Sequence, residues 1–125
     1  MQTSVLVVDD EAFIRHNLCA YLEDEGMSVT TVASAEEAVA RVAAGVHFSV
    51  CIMNIRLPGM DGNAAISLLH SLYPSLRFIV HTGTANYSLP NELRTIGLSA
   101  EHVCLKPLDD MAVLAGLVNK LAAAD

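Results

Sequence analysis

The sequence has 125 residues, of which 53% are hydrophobic and 17% charged, and its formal net charge is −7 at pH 7. A chain of this length supports one hydrophobic core; the composition excludes a disordered chain, and no apolar run reaches the roughly 18 residues that span a bilayer. The acidic balance repels a phosphate backbone, whose binding draws on Lys and Arg, so contact with nucleic acid is not expected.

Residues 1–4 lead straight into an apolar run without the basic flank and cleavage site of an export signal, which reads as a cytoplasmic protein. A first strand is predicted over 4–8, followed by Asp9 and Asp10. Ala12, Leu18, Cys19 and Leu22 recur at helical spacings and Gly26 stops the pattern, which predicts a helix over 11–25. After a second strand at 28–32, Ser34 with Glu37 three residues on is a capping-box pattern opening a helix that ends at Gly45. A third strand at 48–53 ends in Asn54 and is followed by a helix over 63–72. The fourth strand, 77–82, ends in Thr82 with Gly83. A short helix follows near 90–96, since Pro90 fits only a first turn and Gly97 closes the segment. The fifth strand, 102–105, runs into Lys106 and Pro107, a bond that proline allows to be cis, and a last helix is predicted over 109–123. No repeat, low-complexity tract or linker intervenes, so residues 1–125 read as one domain.

Strand and helix alternate five times, and the first, third and fourth strands are nearly continuous apolar runs. This predicts a doubly wound α/β fold with an open parallel sheet covered on both faces, its function lying just after the strands. Four strand ends far apart in sequence then supply one rim: Asp9 and Asp10, Asn54, Thr82 with Gly83, and Lys106 with Pro107. Adjacent acids repel unless a cation lies between them, and such hard oxygens suit Mg²⁺; taken alone, the pair is more often a solvated helix N-terminus, and the other three strand ends turn the reading to a metal site. Lys106 reads as an ion-pair partner or a phosphate-binding charge. Thr82 is either a strand former or a hydroxyl donor to phosphate. Cys19, Cys51 and Cys104 lack metal spacing and read as buried reduced thiols. His16, His47, His70, His81 and His102 lie in different elements as structural or surface residues, and Met53 and Met60 read as gap fillers beside the third strand's loop.

VLVVDD at 5–10, NIRLPGMDG at 54–62, Thr82–Gly83 and Lys106–Pro107, in this order, resemble the receiver domains of two-component response regulators. The resemblance covers essentially the whole chain. It implies a (βα)5 flavodoxin-like sheet in strand order 2-1-3-4-5. It also implies Mg²⁺ held by Asp9, Asp10, position 54 and the Arg56 backbone carbonyl, with Thr82 and Lys106 contacting a phosphoryl group accepted at position 54. Pro58, Gly59 and Gly62 shape the loop, and Arg56 and Thr84 occupy positions that tune phosphate lifetime. The implied partners are a sensor histidine kinase or phosphotransfer protein and an effector or output domain. The fourth-helix, fifth-strand and fifth-helix face would meet the output, with Glu92, Arg94 and His102 as residues to test; their charges are too sparse to specify a homodimer.

Asn54 stands where such domains carry the phosphate-accepting aspartate. A neutral carboxamide is a far poorer nucleophile than a carboxylate, so no stable acyl phosphate is expected there. Loss of that charge relieves repulsion of up to about 4 kcal/mol for a pair near 4 Å at a dielectric of 20, and Mg²⁺ affinity should fall with it. Two explanations fit. An aspartate-to-asparagine substitution locks an otherwise complete receiver, favoured because the acids, threonine and lysine remain, or a natural pseudo-receiver acts as a phosphorylation-independent interaction module. Val103 stands where receivers commonly carry a switching aromatic; Tyr87 is weighed as a substitute against an ordinary surface tyrosine. A nucleotide- or flavin-binding domain lacks its glycine-rich loop here. A phosphohydrolase would need Asp9 as nucleophile and lacks a cap region. Receivers are phosphorylation targets more than enzymes.

Overall fold

Residues 5–8 and 50–53 are apolar at every position, a pattern that suits strands covered on both faces. A computed structural model, which describes residues 2–108 and 110–123, places them at the centre of the sheet. The strands are β1 (Ser4–Val8), β2 (Ser28–Val32), β3 (Val50–Met53), β4 (Arg77–Thr82) and β5 (Val103–Leu105), all parallel in the order β2-β1-β3-β4-β5. This is the predicted doubly wound, flavodoxin-like arrangement. The helices are α1 (Ala12–Asp24), α2 (Ala35–Ala43), α3 (Gly62–Leu72), α4 (Asn91–Thr95) and α5 (Met111–Ala123).

Because successive strand residues point to opposite faces, the sheet divides the core in two. Leu6, Val8, Cys51, Met53, Phe78 and Val80 pack with Ala38, Ile66, Leu69 and Leu93 of α2, α3 and α4. Val5, Val7, Ile52, Ile79 and Cys104 pack with Leu18 and Leu22 of α1 and with Leu114 and Val118 of α5. Cys51 and Cys104 are buried free thiols as expected, whereas Cys19 is only half-buried. Burial pushes the Cys51 thiol well above its ordinary value. Met53 and half-buried Met60 pack in the first cluster, as gap fillers should.

The element limits differ from the expected ones for local reasons. Strand β3 starts at Val50, which pairs with Val5 and Arg77; Phe48 has no strand beside it to continue the ladder, although its side chain is buried. His102 belongs to a 3₁₀ turn, Ala100–His102, and its Nδ1 accepts the Ser99 N–H at 2.8 Å, which removes it from β5. Helix α2 stops at Ala43, and Gly45, at φ 94°, turns the chain after it. Ser34 caps α2 as expected, its hydroxyl accepting the Glu37 N–H at 3.1 Å. Helix α3 begins one residue early, at Gly62, because Asp61 caps it by accepting the Ala64 N–H at 2.9 Å. The predicted start of the last helix, Asp109, lies outside the described residues; Asp110 accepts the Ala112 N–H at 2.9 Å at the head of α5. No helix among the described residues is long and apolar enough to cross a membrane.

Candidate functional site

The parallel sheet delivers the carboxyl ends of β1, β3, β4 and β5 to one rim, and the residues after them meet there. Asp9, only 1% exposed, has both carboxylate oxygens engaged: Oδ1 accepts the Glu11 N–H at 3.0 Å, and Oδ2 accepts Lys106 Nζ at 2.8 Å. A carboxylate this deeply buried needs such partners. The Arg15 guanidinium donates to the Asp9 carbonyl at 2.8 Å and holds the turn into α1. Lys106 is carried beside β4 by its own N–H, which donates to the Thr82 carbonyl at 2.8 Å, and the Lys106–Pro107 bond is cis.

Asn54 lies at the centre. Its Nδ2 donates to Asp10 Oδ1 at 3.2 Å and to the Arg56 carbonyl at 3.0 Å, while its Oδ1 accepts Lys106 Nζ at 3.3 Å. Both neighbours of Nδ2 are pure acceptors and the neighbour of Oδ1 is a pure donor, so chemistry admits only this amide orientation. Thr82 is buried, and its Oγ1 accepts the Thr84 N–H at 3.2 Å. Asp10, Glu11, Asn54, Arg56, Thr82, Gly83, Thr84 and Lys106 line an open cleft of about 400 Å³. Asp9, Asp10, Asn54, Arg56, Thr82 and Lys106, expected together from the sequence, are placed together at this rim.

The oxygen donors for a hard cation are thus present in Asp9, Asp10 and the Arg56 carbonyl, but position 54 offers them an N–H pair instead of a fourth oxygen. Among the described residues no group of three His, Cys, Asp or Glu side chains is placed to hold a metal ion. As arranged, the set does not fit Mg²⁺.

Three supporting residues escaped the sequence reading. Glu36 Oε2 accepts the Met60 N–H at 2.9 Å and anchors the loop after β3 to α2; that N–H holds the Glu36 carboxyl below the usual carboxylate range. Asn63 Oδ1 accepts the Tyr87 hydroxyl at 2.6 Å, so Tyr87 is neither a free swinging aromatic nor an ordinary surface tyrosine: it ties the β4–α4 loop to α3. Arg15 is the third. Nothing in sequence spacing announces these contacts, which depend on loop geometry. Of the residues proposed for the output face, Arg94 Nε donates to the Leu89 carbonyl at 3.3 Å and His102 is held in its turn, while Glu92 is exposed.

Beneath the rim, His81 departs from the other histidines. It is 4% exposed, its Nδ1 has no hydrogen-bond partner, and it faces a second cleft of about 910 Å³ between α1 and the head of α5. Burial first, and the Lys106 ammonium second, push its pKa from 6.5 to about 4, against a smaller opposing pull from Asp9. The folded protein therefore binds this proton less readily than the unfolded chain. The stability this provides is complete above pH 6.5 and is lost as pH falls toward 4, by roughly 3 kcal/mol. Urea denaturation at pH 7 and pH 4.5 should show a steeper acid loss in this protein than in His81→Leu; equal losses would contradict it.

Sequence and structure comparisons bear on the family and the fold. The profile of the family described as Response regulator receiver domain matches residues 5–118. The chain is 33% identical over 103 residues to the two-component response regulator PhoP of Pseudomonas aeruginosa, an alignment covering 82% of this chain and 44% of that protein. Its fold is similar to a CheY-like receiver domain protein from Methanospirillum hungatei, with a TM-score of 0.83, 28% identity, and 97% and 94% of the two chains covered. It also matches the fold of the response regulator TrrA from Thermotoga maritima, solved in complex with Mg²⁺-BeF, with a TM-score of 0.82, 24% identity, and 96% and 99% covered. The chain spans less than half the length of PhoP.

Proposed function

Because the chain belongs to the response regulator receiver domain family of two-component signalling, we propose that position 54 is its phosphoacceptor position and that Asn54 holds it unphosphorylated. The observation that carries this reading is the placement of Lys106 Nζ between Asp9 Oδ2 and Asn54 Oδ1, at 2.8 and 3.3 Å. An ammonium at that point would stabilise the oxygens of a phosphoryl group bonded to residue 54, with the Thr82 hydroxyl on the same cleft as a second contact. Formation of an acyl phosphate requires a carboxylate oxygen to attack phosphorus and displace the donor's leaving group, and the carboxamide lacks that nucleophile.

In this reading residues 1–125 form one cytoplasmic receiver unit. A sensor histidine kinase or phosphotransfer protein would meet the rim, and an effector or output domain would meet the α4–β5–α5 face, where Glu92 and Leu105 are exposed. An aspartate at position 54 would complete an oxygen ligand set for Mg²⁺ with Asp9, Asp10 and the Arg56 carbonyl. A second reading, a natural pseudo-receiver that binds partners without phosphorylation, is favoured by the engagement of both Asn54 amide N–H groups, with its oxygen accepting from Lys106.

Radiolabelled acetyl phosphate with Mg²⁺ separates these. Asn54→Asp is expected to take up base-labile label, at most one phosphoryl per chain, while the present chain takes up none. A folded Asn54→Asp that stays unlabelled would refute the phosphoacceptor reading and leave the interaction module.

A further inference from the structure

Replacing an aspartate by an asparagine does not by itself abolish a cation site, since an amide carbonyl is an acceptable hard ligand. What matters is which end of the amide faces the other ligands. Here Lys106 holds Oδ1, and Nδ2 is thereby aimed at the two oxygens on the opposite side, Asp10 Oδ1 and the Arg56 carbonyl. Turning the amide over would set its N–H₂ against the Lys106 ammonium, donor to donor, and strip both acceptors of their partner.

We propose that the Asn54 amide nitrogen stands in for the cation, bridging Asp10 and the Arg56 carbonyl, so that the rim is closed to divalent metal and the domain keeps one state whether or not Mg²⁺ is present. The proposal rests on reading this rim as the receiver site, and adds that the asparagine occupies the metal's place as well as lacking a nucleophile. The strand ends are then joined by a continuous hydrogen-bonded chain: Asp9 to Lys106, Lys106 to Asn54, and Asn54 to Asp10 and Arg56.

Calorimetric titration with MgCl₂ against NaCl of equal ionic strength tests this on three proteins. The present chain should bind Mg²⁺ at least 100-fold more weakly than Asn54→Asp, and its melting temperature should not move. Asn54→Ala decides between a lost ligand and a blocked site. It has no oxygen at position 54 but also no N–H, so blockage makes it bind Mg²⁺ more tightly than the present chain. Equal or weaker binding by Asn54→Ala overturns the proposal. Should a variant not fold, nuclear magnetic resonance of the unaltered protein suffices: the Asn54 side-chain amide protons should hold their shifts through the titration, and their displacement by Mg²⁺ overturns it. The two readings fail separately, since an unlabelled Asn54→Asp sinks the phosphoacceptor assignment and a Mg²⁺-responsive Asn54 chain sinks this one.

Discussion

Lys106→Met is expected to destabilise the protein by about 3–5 kcal/mol, the cost of leaving a buried carboxylate without its countercharge. The Asp9 side chain is 2% exposed and that of Lys106 13%, so little solvent screens the pair, which meets at 2.8 Å. The neighbouring contact from Lys106 to Glu11 is longer, at 3.8 Å, and the Glu11 side chain is 64% exposed, so it belongs with surface pairs worth no more than about 1 kcal/mol. Removing the ammonium also frees Asn54 Oδ1 and loosens the orientation of the amide. Urea denaturation should show the full loss at both 0.05 and about 0.5 M salt, since burial limits screening. The double variant Asp9→Asn with Lys106→Met should recover most of it, because the orphaned charge is then gone. A loss below about 1 kcal/mol would mean that Asp9 is hydrated when unpaired and that the bridge contributes as an exposed one does.

The residues of this bridge were legible from sequence, while the way they are connected was not. Asp9, Asn54 and Lys106 each follow an apolar run and Thr82 ends the fourth strand, and the alternation of strands and helices fixes that such positions share a rim. Strand order comes from the family resemblance, because the same alternation permits more than one doubly wound order. The direction of the Asn54 amide depends on three partners from different parts of the chain, so no local pattern encodes it. The same holds for Glu36 on Met60 and Tyr87 on Asn63, contacts between residues 24 positions apart that exist only once the loops are in place. His102 shows the limit from the other side: its neighbours 103–105 are strand formers, yet a side-chain bond to Ser99 takes it into a turn.

Gly62→Ala should be the most damaging single methyl addition among the glycines, costing about 3 kcal/mol or more. Gly62 does not have a positive φ, so the requirement is space, not backbone freedom. A Cβ there would lie 2.8 Å from Ile55 Cα and 3.0 Å from the Asn54 carbonyl carbon, and closer still to the Asn54 carbonyl oxygen. All three are backbone atoms, and the Gly62 N–H itself donates to the Ile55 carbonyl at 2.9 Å, so neither strand end nor helix start can give way alone. The first residue to be pushed is Asn54, which means that loss of stability should come with displaced Asn54 side-chain amide resonances. Gly116→Ala is the control: nothing lies within 4 Å of a Cβ built there, and it sits inside α5. It should stabilise the protein by about 0.5–1 kcal/mol through helix propensity alone. If Gly62→Ala instead proves as benign as Gly116→Ala in chemical denaturation, the close packing of α3 on the loop after β3 is wrong, and with it the fixed position of the Asn54 amide.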